Sequence, residues 1–156
     1  RKAPWYEPFL WGFYYLALKR SFGMGAARPA RGIRLGVALL VTVAAFGGLG
    51  TGPRWLEAFP WVAMAVVLAF FHEPMDLRWG GGALVMGAAV ELTGGTSGLW
   101  TYPVPGLFFG VPVWFVPMWT TCGVLGRRVL SLLVEWLSSG SGYDVSAPGA
   151  GHREVG

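Results

Sequence analysis

Apolar runs alternate with short polar punctuation along the chain, and their composition reads as helix rather than strand. Ile33 to Leu49 is built from Leu, Val and Ala, carries no charge after Arg34, and at about 17 residues meets the lower limit for crossing hydrocarbon. Gly50-Thr51-Gly52-Pro53 marks a turn. A second run, Trp55 to Phe71, holds Pro60 in its first turns and stops at His72-Glu73-Pro74, since proline cannot continue the hydrogen-bond ladder. Glu73 to Trp79 reads as a short polar loop. The third run starts at Gly80-Gly81-Gly82 and is weak in bulk hydrophobicity, with Glu91 inside it. The fourth, Leu107 to Leu125, contains Pro112 and Pro117, ends at Arg127-Arg128, and is prolonged by VLSLLVEWL.

Ahead of these, Trp5 to Arg20 is too short and too aromatic for a span. With Pro8 in its first turn it predicts an interfacial helix, its rings at headgroup depth and its basic end facing anionic lipid. The pattern therefore predicts an all-α, polytopic integral membrane protein with four transmembrane helices and an N-terminal interfacial helix. Residues 1–32 form the basic, aromatic segment, 33–137 the four-helix domain and 138–156 a flexible Gly/Ser/Pro-rich tail.

Composition agrees. Hydrophobic residues are 54% of the 156 and charged residues 13%, half the usual quarter, and the mean hydropathy is +0.51, which excludes an ordinary soluble domain. Aromatics at 15% exclude disorder for most of the chain. The lone Cys122 excludes a disulfide framework, and no metal site is expected. The net charge of +4, in so apolar a chain, points to a membrane surface and not to nucleic acid. Seven of the twelve basic residues lie in the first 34 positions. Placing them with Arg78 and Arg127-Arg128 on the cytoplasmic side of a cell's inner membrane leaves Arg54 alone opposite and both termini cytoplasmic. The first segment lacks an A-x-A-like exit and is not a secretory signal. No lysine lies within a span, which removes a retinal Schiff base.

Glu91 is the sharpest chemical feature. A carboxylate in an apolar span costs roughly 2.5–3.5 kcal/mol on insertion scales, so it should face protein, water or a ligand. Thr93, Thr96 and Ser97, with Gly94, Gly95 and Gly98, make the following stretch polar and breakable. Glu91 is then either a catalytic or ligand-binding acid or a structural carboxyl bonded to those hydroxyls. Glu73 and Asp76, spaced i, i+3 beside His72, join Glu91 as an acid cluster able to protonate an alkene or hold a cation, or else sit in a solvated loop near Arg78 and Arg128. Trp55, Trp61, Trp79, Trp100, Trp114, Trp119 and Trp136 read as an aromatic belt. Against that stands a groove of Trp100, Tyr102, Trp114 and Trp119 for a non-covalently bound polyene such as carotenoid, or for a quinone, pigment or lipid. Gly32/Gly36 and Gly106/Gly110 are small-xxx-small pairs that let helices approach.

The run Glu91…Gly98-Leu99-Trp100-Thr101-Tyr102, then Gly110-Val111-Pro112 and Trp114, resembles the membrane carotenoid hydratases and the heterodimeric-type lycopene cyclases, over about residues 72–119. In those families an intramembrane Glu precedes a G-x-[WF]-x-Y segment and a G-x-P step. The Glu73…Asp76 pair is similar to the acidic residues of such cyclases. The resemblance implies acid-catalysed addition or cyclisation at a polyene end, without redox change. The chain departs from the cyclases where an acidic pair follows their proline, since Val113 and Trp114 stand there.

Three functions follow. The leading one is a non-catalytic accessory subunit that packs against other integral membrane subunits and lipid or pigment. A respiratory or photosynthetic energy-converting complex is the kind of assembly that recruits one. The alternative is an isoprenoid- or carotenoid-modifying enzyme with Glu91 as general acid and Glu73 or Asp76 assisting. A transporter half built on Glu91 and the proline-broken fourth span comes third.

Overall fold

In the computed structural model, which describes residues 7–25, 32–47, 53–99, 101–102 and 110–140, the apolar runs form helices in the order α1 (Glu7–Phe22), α2 (Gly32–Gly47), α3 (Pro53–Phe70), α4 (Pro74–Thr96) and α5 (Phe115–Gly140). The expected all-α class is the class that forms. Trp5, Trp100, Gly106, residues 107–109 and residues 141–156 of the expected tail lie outside the described residues.

Two boundaries move for local reasons. The expected loop at 73–79 is the beginning of α4. Glu73 is its N-cap, Pro74 takes the first helical position where a missing N–H is harmless, and Asp76 Oδ2 accepts the Glu73 N–H at 3.1 Å. The fourth run becomes helical only at Phe115, with Pro117 tolerated in the first turn. From there α5 continues unbroken through Arg127-Arg128.

Among the described residues no helix is long and apolar enough to cross a membrane. The 16 residues of α2 extend about 24 Å, against a hydrocarbon core near 30 Å. The longer α4 and α5 carry Asp76, Arg78 and Glu91, and Arg127, Arg128 and Glu135.

The centre is an antiparallel α4–α5 pair. On α4, Asp76, Trp79, Gly80, Ala83, Gly87, Glu91 and Gly94 are buried at i, i+3, i+4 spacing, so a stripe of small residues faces α5. A Cβ on Gly87 would lie 2.1 Å from Trp119 Cγ, and one on Gly123 would lie 2.5 Å from the Trp79 carbonyl oxygen. These glycines let the backbones approach closely. On the other side, Leu35 and Ala38 of α2, Val67 of α3 and Phe71 just after it pack against Val124 and Leu125 of α5.

Trp11, Tyr14 and Tyr15 of α1 turn inward rather than to headgroup depth, while Phe13 stays exposed. Trp11, Tyr14, Tyr15 and Leu18 form the face laid on α4 and α5, in space left by glycine: a Cβ on Gly126 would meet Tyr15 Cε1 at 2.1 Å. The belt reading is corrected for two of its tryptophans. Trp79 and Trp119 are core residues, while Trp61 and Trp136 are exposed. Of the expected small-residue pairs, Gly32 and Gly36 face open space within this chain, Gly110 is exposed at φ +82°, and Gly106 lies outside the described residues; within the bundle the close helix approach is made by Gly80, Gly87 and Gly123.

Gly123→Ala should lower stability by about 1–3 kcal/mol through overpacking, despite alanine's better helix propensity. Gly36→Ala, meeting nothing, should be neutral or stabilising by up to about 1 kcal/mol. Thermal midpoints of the two variants in detergent check this.

Candidate functional site

Glu91 projects from α4 into the α4–α5 interface and is 2% exposed. Tyr102 Oη donates to its Oε2, and Trp119 Nε1 donates to its Oε1 at 3.4 Å. Tyr102 reaches back because the chain reverses directly after α4. Gly98, at φ +71°, closes the helix with Leu99 N–H on the Gly94 carbonyl at 3.0 Å and Gly98 N–H on the Gly95 carbonyl at 3.2 Å. The neighbouring hydroxyls do not hold the carboxyl. Thr96 Oγ1 donates to the Leu92 carbonyl at 2.6 Å and Ser97 Oγ to the Thr93 carbonyl.

Trp114, just ahead of α5, meets the Tyr102 ring edge-on at 5.8 Å, and Trp11 stacks on Trp119 at 4.9 Å. Tyr102 and Trp119 therefore meet at Glu91, with Trp114 against Tyr102 and with Val111 and Phe115 buried beside them. On the α1 side of Trp119, a cleft bounded by Tyr14, Leu18, Met86 and Cys122 has a volume of about 10 Å³, room for no more than a water molecule and far below the roughly 300 Å³ where small-molecule pockets begin.

Glu73 and Asp76 do not share this site. They lie at the opposite end of α4, with Asp76 about 22 Å from Glu91 at 1.5 Å per residue. Asp76 is not in a solvated loop either, being fully buried. Its Oδ1 accepts Arg127 Nη1 and, at 2.8 Å, Arg128 Nε, and its Oδ2 accepts Arg128 Nη2 besides the Glu73 N–H. Glu73 completes the cluster, with Oε2 at 3.1 Å from Arg128 and 3.8 Å from Arg127. Two carboxylates and two guanidiniums cancel in charge, and the Arg128 guanidinium also lies over the Phe71 ring at 5.0 Å. Arg127 Nε donates to the Met24 carbonyl at 2.9 Å and Trp79 Nε1 to the Gly23 carbonyl at 2.9 Å, so the same end holds the exit of α1.

No protein-family model, curated protein or solved structure matches the chain. The resemblance to hydratases and cyclases thus rests on its motif residues alone. Of those, Glu91, Tyr102 and Trp114 stand together, and Trp100 lies outside the described residues.

Chemically the two ends differ. At Glu91 one carboxyl faces a phenol and an indole, with the polarity to exchange a proton or to anchor a polar group. At Asp76 every carboxylate oxygen is engaged by donors, which makes a fastener rather than an acid. Sequence reasoning missed the pairing of Asp76 with Arg127-Arg128 and the structural role of Trp79. The available signal was the stripe from Asp76 through Gly80, Ala83 and Gly87 to Glu91, which puts both acids on one helix face.

Asp76→Ala should take the main carboxylate partner from two buried guanidiniums and cost about 3–5 kcal/mol, read as lost monodispersity on heating. Tyr102→Phe should cost about 1–3 kcal/mol by removing a donor from buried Glu91, and the same melting measurement reports it.

Proposed function

We propose that this chain is an integral-membrane accessory subunit that packs against neighbouring membrane proteins and lipid and performs no chemistry. The observation that carries this reading is the apolar exterior. Ile33, Val37, Leu40 and Val43 form an exposed stripe along α2, and Leu40 is 70% exposed. Leu77 and Val85 do the same on α4, and Leu132, Leu133, Val134, Trp136 and Leu137 surround the far end of α5. Soluble monomers rarely expose apolar patches beyond a few hundred Å². The inward faces are already filled, so this surface is left for acyl chains or other subunits. Helices this short or this polar suit a subunit that shares its place in the bilayer with neighbours. The inner membrane, with the Arg127-Arg128 end cytoplasmic, is the location that the charge distribution favours.

A second reading has one observation in its favour, the buried Glu91 with Tyr102 upon it among aromatic rings. An isoprenoid- or carotenoid-modifying enzyme would use that carboxyl as its general acid, without help from Glu73 or Asp76.

The protein extracted from its own membranes in mild detergent should migrate with much larger partners and resist alkaline washing from the membrane pellet. Migration alone, or as a small homo-oligomer, overturns the subunit reading. Glu91→Gln separates the alternatives: the subunit keeps its assembly and loses little stability, whereas an enzyme stays inserted and loses turnover.

A further inference from the structure

The basic end of the bundle has a composition of its own. The inner face of α1 is used up by packing, yet its outer face exposes Phe13 and Leu16, and the next turn exposes Lys19 and Arg20. Gly23, directly after this helix, is tied to Trp79, so exposed Arg78 belongs to the same end. Arg34 does too, because its neighbour Leu35 packs with Phe71 and Leu125. None of Lys19, Arg20, Arg34 and Arg78 makes an ion pair among the described residues. The acids at this end, Glu73 and Asp76, are occupied by Arg127 and Arg128. Exposed Glu135 stands two turns further out on α5. Among the described residues, the end therefore carries unbalanced positive charge next to an unpartnered apolar helix face.

We propose that this end binds an anionic phospholipid, its headgroup between Lys19, Arg20 and Arg78 and its acyl chains along Phe13 and Leu16. The inference rests on the membrane reading. Charge complementarity selects the headgroup, and the apolar stripe running up to the two cations selects a lipid over a water-soluble anion, which has no use for Phe13 and Leu16.

The test uses the full chain in mixed micelles, with retained phosphatidylglycerol and phosphatidylcholine counted by native mass spectrometry. Phosphatidylglycerol should be retained preferentially. Lys19→Gln with Arg20→Gln should weaken that retention about 25-fold, at roughly fivefold per charge, while phosphatidylcholine stays unchanged. Both positions are exposed, so the double variant keeps its fold, checked by an unchanged melting temperature. Equal retention of the two lipids overturns the proposal, as does a preference that survives the double variant. Displacement of phosphatidylglycerol by millimolar inorganic phosphate overturns it in favour of a free-anion site. An alkaline wash of the native membranes separates the two levels: protein washed out of the pellet removes the membrane reading itself, whereas protein retained there with equal lipid binding removes only the headgroup assignment.

Discussion

One carboxylate, that of Asp76, receives four donors from three places in the chain: the Glu73 backbone, Arg127 and Arg128. Buried without them it would be prohibitive, and so would two buried guanidiniums without it. This mutual requirement fixes the register of α4 on α5. With 76 opposite 127 and 128, Trp79 falls opposite Gly123 and Gly87 opposite Trp119, and glycine is the residue that those contacts demand. The same register delivers the Trp119 indole to Glu91 at the far end. Arg127 and Trp79 extend the hold to the backbone after α1, whose aromatic face then closes over the pair.

Charge is thereby sorted. The charges that must be inside are cancelled among themselves, and the cations left over face outward at one end, beside apolar surface. A buried network that neutralises itself while the helices around it turn Leu and Val outward inverts the economy of a water-soluble domain, where the exterior supplies the polarity. Lipid or a membrane partner, as proposed above, would resolve the inversion. Glu91 stands apart, a single carboxyl among aromatic rings, and its hydrogen bonds serve equally to close the end of the bundle and to poise a proton.

Most helix positions were legible because apolar runs and glycine or proline punctuation are local signals. The start of α4 was not, since Pro74 read as a terminator when it is the first helical residue, and the difference lies in Asp76 reaching back to the Glu73 N–H. The sequence suggested a groove of Trp100, Tyr102, Trp114 and Trp119, but that Tyr102 and Trp119 both donate to Glu91 was not legible, because it depends on the chain reversal after α4 and on the α4–α5 register. The separation of Glu73 and Asp76 from Glu91 follows from one unbroken helix, which a presumed loop at 73–79 concealed. The arginine partners were hidden because Arg127-Arg128 looks like the ordinary basic end of a span. Only the antiparallel register turns those side chains inward. Gly36 and Gly123 look alike in sequence, and packing alone tells the open position from the crowded one.

The most direct measurement is the environment of the outward faces. Nitroxide labels at Leu40→Cys and Val85→Cys, in native-like bilayers, report collisions with apolar oxygen and with a water-soluble nickel complex; these side chains are 70% and 72% exposed and Cys122 is largely buried. Oxygen access exceeding nickel access at both positions is the predicted result. Nickel access exceeding oxygen access at both would place these faces in water and contradict the account.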